Sequence, residues 1–366
     1  MIEFTPTEEQ QMLIEAIHRY AENNVRRIAH EADEQGQVPP PVIAKGWELG
    51  VLPGLIPEAY GGYADGPGAV TGVLALEELA WGDLAAALEL WTPALFALPI
   101  LLSGTEEQKK TYLPAFCDLD RPLASAALVE PNVTFDPWRP RTTATRRDGS
   151  VTLNGEKAYV PLAAGVERLL VYAADSETGR VDGYIVEKGA DGLTVCEREK
   201  LMGIQALPLY RVALSNVTIP AENRLGGEQG TDFVTLLSRS RIALGALAVG
   251  VARAAFEYAR DYAKERVQFG VPIATKQAVA FRLASMAIET DAARMLVWEA
   301  AWQADQGKDL TQAAAHVKHY TSKAALFVAD AGVQTLGGYG YIREYPAERW
   351  LRNARGFATF DGLAMV

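Results

Sequence analysis

The stretch from Asp232 to Glu265 is alanine-rich, carries Gly245 and Gly250, and reads as one long helix. Small residues let neighbouring helices approach closely, so a helix of this composition predicts a tight bundle around it. Residues 274–305 and 309–335 predict two more helices, separated by a break at Gly307. A last helix near 345–354 completes a four-helix bundle.

The chain upstream divides in two. Up to about residue 120 it reads as helical. Thr7-Glu8-Glu9-Gln10 and Thr105-Glu106-Glu107-Gln108 are both capping boxes, in which the threonine hydroxyl and the glutamine side chain satisfy free amides at a helix start. Leu13, Ile14, Ile17 and Tyr20 follow the first at helical spacing. Between residues 121 and 225 the pattern shifts to short strand-like runs divided by turn residues: Val151 to Leu153, Leu169 to Tyr172, Tyr184 to Val186 and Tyr210 to Leu214. The expected class is α+β, mostly α. It comprises an N-terminal helical domain (1–120), a middle antiparallel β-domain (121–225) and a C-terminal four-helix bundle (226–366).

Composition narrows the function classes. A net charge of -11 over 366 residues argues against nonspecific nucleic-acid binding, which needs a basic face. Two distant cysteines, Cys117 and Cys196, form neither a disulfide framework nor a zinc motif and fit a reducing compartment. Met1-Ile2-Glu3-Phe4 lacks the basic-then-apolar pattern of a signal peptide. The uncharged run Leu90–Thr105 is too short to span a membrane and reads as a buried helix and loop. The expected location is the cytoplasm. His316 and His319 lie one turn apart without accompanying carboxylates, so no metal site is assigned.

Several segments carry a resemblance in their order and spacing. They are Pro57-Glu58-Ala59-Tyr60-Gly61-Gly62, Leu153-Asn154-Gly155-Glu156-Lys157, the stretch Val217 to Gly226, Tyr262 to Gly270, and the tail from Gln334-Thr335-Leu336-Gly337-Gly338 through Arg349, Arg352 and Arg355 to Phe360-Asp361-Gly362-Leu363. Together they resemble the acyl-CoA dehydrogenase family along nearly the whole chain. The resemblance implies a FAD enzyme that desaturates an acyl-CoA thioester between its α and β carbons. It also implies a homo- or hetero-tetramer and an electron-accepting partner such as an electron-transfer flavoprotein.

Residue by residue, the resemblance assigns Asp361 to the place of the catalytic base, where the family's tetrad is Tyr-Glu-Gly-Thr. Arg266 and Phe269 match an Arg-x-x-Phe pair, and Gln334, Gly337 and Gly338 match a Gln-x-x-Gly-Gly turn; both belong to the surface that holds the ADP end of FAD across a subunit interface. An arginine fork suits a pyrophosphate, and glycines let backbone N–H groups come close to it. Arg241 matches a family arginine near the active site and is assigned to substrate binding.

The part that should hold the flavin ring departs from the pattern. Val129 and Phe135 stand where hydroxyl residues are usual, and Tyr159-Val160-Pro161 replaces Trp-Ile-Thr. Tyr159 can still stack on a flavin, whereas Pro161 offers neither a hydroxyl nor an N–H. Ser240 occupies a slot where some members carry a glutamate base.

Three readings follow from this uneven pattern. One is a self-sufficient dehydrogenase with Asp361 as base. Another is a partner subunit that keeps the cross-interface contacts but has a degraded flavin pocket. The last is an oxidase of another activated C–H substrate, such as a nitroalkane, for which an aspartate base is known in the superfamily. For Asp361 itself the competing reading is a solvent-facing carboxylate in a frayed terminus.

Overall fold

The computed structural model describes residues 4–366; Met1, Ile2 and Glu3, within the stretch inspected above for a leader, lie outside the described residues. Seven helices come first: α1 (Glu8–Tyr20), α2 (Arg26–Gln35), α3 (Pro40–Trp47), α4 (Ala69–Gly82), α5 (Leu84–Trp91), α6 (Ala94–Ser103) and α7 (Glu106–Tyr112). Both capping boxes form, with Thr7 and Thr105 accepting from the amides of Gln10 and Gln108. Gly36, at φ 73°, ends α2 in the left-handed conformation that glycine adopts without a steric penalty. The run read as a helix and loop is instead the end of α5 and all of α6, bent by 48° at the break between them.

Seven strands form the middle sheet: β1 (Ala124–Ala127), β2 (Thr143–Arg147), β3 (Ser150–Pro161), β4 (Arg168–Asp175), β5 (Val181–Glu187), β6 (Leu193–Arg198) and β7 (Leu209–Pro220), in the order β1-β4-β2-β3-β7-β6 with β5 on the other side of β4. The long pair β3–β7 is antiparallel, setting Val151 opposite Ile219 and Leu153 opposite Val217. The expected all-antiparallel arrangement needs correction, because β1 and β2 both pair parallel to β4. Run length and alternation carry no information about strand direction when the partner arrives by a long crossover.

The register of β3 shifts between Lys157 and Val160, and Tyr159 sits there at φ 55°. A bulge re-aims side chains. This one determines where Tyr159 points.

The C-terminal part comprises α8 (Phe233–Glu265), the small hairpin β8 (Val267–Gln268) and β9 (Val271–Pro272), α9 (Gln277–Asp305), α10 (Thr311–Leu336), the short α11 (Gly338–Tyr341) and α12 (Ala347–Arg355). The glycines of α8 mark close approaches. A Cβ on Gly245 would collide with Val317 of α10 and meet Val297 of α9, and one on Gly250 would strike the backbone of Glu77 in α4. Helix α8 is long and apolar enough to cross a membrane, yet 78% of its most apolar stretch is buried inside the bundle.

The N-terminal and C-terminal helices share one apolar core, whereas the sheet keeps a second of its own around Val151, Tyr184 and Val212. Charged side chains tie the parts together. Arg253 of α8 and Arg294 of α9 converge on Glu77, and Arg253 also grips Glu78 at 2.6 Å. Asp33 of α2 is held by Arg343 at 2.8 Å and by Arg352 of α12 at 2.6 Å.

Candidate active site

After α12 the chain makes one turn of 3-10 helix (Gly356–Ala358) and then folds back over α8 and α10. The carboxylate of Asp361 lies in this return, with its side chain 15% exposed. Lys318 of α10 brings its Nζ to 3.3 Å from Asp361 Oδ1, and Arg241 of α8 brings its Nε to 3.7 Å from the same oxygen. The Lys318 ammonium also donates to the carbonyl of Phe360. One residue on, the amide of Gly362 donates to Ser240 Oγ at 3.2 Å. Burial pulls the Lys318 ammonium below the ordinary lysine range, an effect that Asp361 opposes and Arg241 reinforces.

The end of the chain is not frayed. Leu363, Ala364, Met365 and Val366 are all buried. The indole N–H of Trp91 donates to the Met365 carbonyl at 2.7 Å, and Arg239 donates to the Val366 carbonyl at 3.1 Å. The reading of Asp361 as a solvent-facing carboxylate therefore fails on geometry.

Two spaces of very different size adjoin this turn. Next to Gly362 and Met365, an apolar seam between α6, β1 and α8, lined by Leu95, Leu128, Tyr172 and Leu237, retains only about 10 Å³. That is at the lower limit of the space a single water molecule needs. On the side of Phe360, a cavity of about 320 Å³ is bounded by Tyr159, Met202, Arg352, Arg355 and Thr359. Tyr159 and the turn preceding Asp361 thus share one cavity.

Behind Tyr159, the cation of Lys157 is fully buried against Glu130 and the carbonyl of Leu128, both at 3.0 Å. Glu130 also accepts the amides of Arg141 and Thr142, each at 2.8 Å. Burial raises the Glu130 carboxyl, but the Lys157 charge and these amides outweigh it and hold the group below the usual carboxylate range. Its acceptors are committed to the fold.

A third space lies where α8 and α10 end. A groove of about 480 Å³ gathers Arg266, Gln334, Gly337, Gly338 and Tyr339, with the Arg266 guanidinium 5.3 Å from the centre of the Tyr339 ring. Gly337 has φ 62°, and a Cβ at either Gly337 or Gly338 would point into open space. Phe269, expected beside Arg266, does not join the groove; it stands at the tip of the β8–β9 hairpin, 92% exposed. The residues assigned to FAD therefore fall in three places, with Tyr159 beside the Asp361 turn, Arg266, Gln334, Gly337 and Gly338 in the separate groove, and Phe269 on the hairpin.

His316 and His319 are exposed, and His319 Nε2 lies 3.0 Å from Lys323 Nζ. Among the described residues no group of three or more metal-ligating side chains occurs. The sequence reading missed Lys318. Its signal was a lysine on the buried stripe of α10, next to Val317 and in step with Ala314, Thr321 and Ala325.

Family models for the N-terminal, middle and C-terminal domains of acyl-CoA dehydrogenases match residues 7–120, 125–217 and 229–365. Short-chain-specific acyl-CoA dehydrogenase of Megasphaera elsdenii is 35% identical, with 99% of this chain and 96% of the relative aligned. The chain belongs to the acyl-CoA dehydrogenase family.

Members of this family are FAD-dependent oxidoreductases, and the relatives act in both directions by name. Acryloyl-CoA reductase (NADH) of Anaerotignum propionicum is 34% identical over 100% of this chain and 94% of its own length. Among solved structures, the butyryl-CoA dehydrogenase of M. elsdenii superposes with a TM-score of 0.91 at 34% identity, covering 100% of this chain and 96% of that one. A FAD complex of PigA superposes at 0.89 with 25% identity, covering 98% and 95%.

The residues of this acyl-CoA dehydrogenase relative fit the two ends of FAD unequally. The Arg266 groove offers a guanidinium and an open glycine turn, which suit a pyrophosphate. The cavity beside Tyr159 offers an aromatic face and two arginines, but Pro161 supplies no donor.

Proposed function

We propose that this chain takes part in FAD-dependent α,β-desaturation of an acyl-CoA thioester, with Asp361 as the base that removes the α proton. The observation that carries the reading is the return of the chain onto α8 and α10, which holds the Asp361 carboxylate between Lys318 and Arg241. An α C–H beside a thioester is a very weak acid. Its removal needs a base in fixed geometry, largely shielded from water, and donors for the developing enolate oxygen. Asp361 supplies an ionisable carboxylate, and Arg241 supplies a cation on the same side. FAD, when bound, supplies the acceptor for the hydride that leaves the β carbon. Tyr159 would pack against the ring, while Arg266, Gln334, Gly337 and Gly338 would hold the ADP end of a FAD seated mainly in a neighbouring subunit. Phe269, projecting from its hairpin, would reach that neighbour.

The 10 Å³ seam favours a second reading, that of a partner subunit in a heteromeric dehydrogenase. A substrate reaching Asp361 finds little apolar space next to Gly362, so the chain would lend its groove to a catalytic neighbour. An electron-transferring flavoprotein of Acidaminococcus fermentans and the CarC subunit of a caffeyl-CoA reductase-Etf complex are similar to this chain, and such a flavoprotein is the acceptor proposed here.

The test is to express the chain alone, record its visible spectrum and add butyryl-CoA. A stoichiometric flavin that bleaches, with bleaching abolished in Asp361→Asn, supports the catalytic reading. A colourless protein that acquires flavin only with a co-expressed neighbour supports the second. Bleaching by a nitroalkane but not by an acyl-CoA would redirect the substrate assignment.

A further inference from the structure

We infer that Lys318 is a positioning residue for the reaction, holding the Asp361 carboxylate in place through two successive residues of the return. The inference rests on the assignment of Asp361 as base. Helix α10 buries Ala314, Val317, Thr321, Ala324 and Ala325, and Lys318 lies along this same apolar face with its side chain only 16% exposed. A lysine in such a position is unfavourable unless its donors are satisfied. Its ammonium has three N–H donors. One goes to the main-chain carbonyl of Phe360, and the charge faces Asp361 Oδ1 at 3.3 Å.

A plain ion pair would involve the carboxylate alone. Here the same cation also fixes the peptide that precedes Asp361, while Ser240 fixes the amide that follows it at 3.2 Å. The aspartate is therefore clamped on both sides of its Cα. Arg241, the other charge on the same oxygen, is more distant at 3.7 Å, and its Nε makes no hydrogen bond among the described residues.

The clamp matters because aspartate is one methylene shorter than glutamate. It reaches less far from the backbone and tolerates less backbone drift, and a misplacement of 1 Å can slow a reaction on the order of 10²-fold. Methionine in place of Lys318 keeps most of the apolar stem and removes the donors. Arginine keeps the charge and can span both acceptors.

The test combines flavin bleaching with unfolding of the full chain, using K318M, K318R, D361N and the K318M/D361N double variant. The expected result is that K318M bleaches about 10²-fold more slowly at saturating butyryl-CoA, with the half-saturating concentration changed less than about threefold and K318R recovering a large part of the rate. In unfolding, recorded on the chain whether or not it carries flavin, the Tm losses of K318M and D361N should be strongly non-additive. Additive losses overturn the inference, as does wild-type bleaching by K318M while D361N is inactive. Bleaching by D361N at the wild-type rate would instead remove Asp361 as base, a separate failure.

Discussion

Replacing Gly362 with alanine should disturb the return of the chain. Gly362 has φ 70°, a conformation that costs an L-residue about 1–2 kcal/mol. The new Cβ would stand 2.9 Å from Leu128 Cβ and 3.0 Å from Leu128 Cδ2, a buried side chain just beyond the end of β1. Overpacking of this kind adds about 1–3 kcal/mol. The expected loss is therefore about 2–5 kcal/mol. With an unfolding entropy of about 2.1 cal/mol/K per residue, spread over 366 residues, that corresponds to a fall in Tm of about 3–7 °C.

Scanning calorimetry would measure the fall, and repeating the substitution in a Leu128→Ala background would relieve part of the steric cause. With Leu128 truncated the Cδ2 contact disappears while the Cβ contact at 2.9 Å stays, so Gly362→Ala should then cost less than in the wild type but more than its backbone share of about 1–2 kcal/mol. Because Asp361 is bonded directly to the altered residue, flavin bleaching should slow in the single variant. A Tm within 1 °C of the wild type, or an identical loss in the Leu128→Ala background, would refute this reasoning.

Two further outcomes follow from buried charges. Burial lowers the Lys157 ammonium to about 8, against about 10.4 in an unfolded chain, so between these values the unfolded state binds more protons and stability should rise with pH. Lys157→Met should abolish that rise and lower stability at pH 7 by about 3–5 kcal/mol, because Glu130 loses its cation; urea unfolding at pH 7 and 9.5 tests both. Glu89 is raised by burial to about 7, and its Oε2 has no hydrogen-bond partner among the described residues, since Arg121 donates to the Glu89 main-chain carbonyl instead. The folded state then holds the extra proton between about pH 4.3 and 7, so stability should fall across that window, and Glu89→Gln should flatten the fall and raise Tm at pH 8.

Much of the fold is written locally. The capping boxes at Thr7 and Thr105, the start of α8 at Asp232 and the close-packing glycines Gly245 and Gly250 can be read within a few residues of themselves, because each reflects the geometry of its own helix. Strand direction could not be read, since β1 and β2 meet β4 only after long excursions. Strand β6 escaped notice because its side chains face mainly solvent and lack alternation, and β1 because four small buried residues look like any other alanine-rich run. The candidate site divides in the same way. The Arg266 turn could be read as a motif, whereas the partnership of Lys318 with Asp361 joins residues 43 positions apart and leaves no trace until α10 and the tail are brought together.

Helix α8 carries Arg241 near one end and stops at Arg266, its C-terminal cap. An α-helix advances 1.5 Å and turns 100° per residue, so these two arginines stand about 37 Å apart at a fixed rotation. The helix is thus a ruler between the Asp361 turn and the Arg266 groove. A single inserted or deleted residue between them would swing the groove through 100° about the axis as well as shift it, and one placed between Gly245 and Gly250 would also put their close contacts out of step with each other. Substitutions in this segment can be absorbed one at a time, but changes in its length cannot. Sequence lineages descending from this chain should drift in composition across residues 242–265 while keeping their spacing constant.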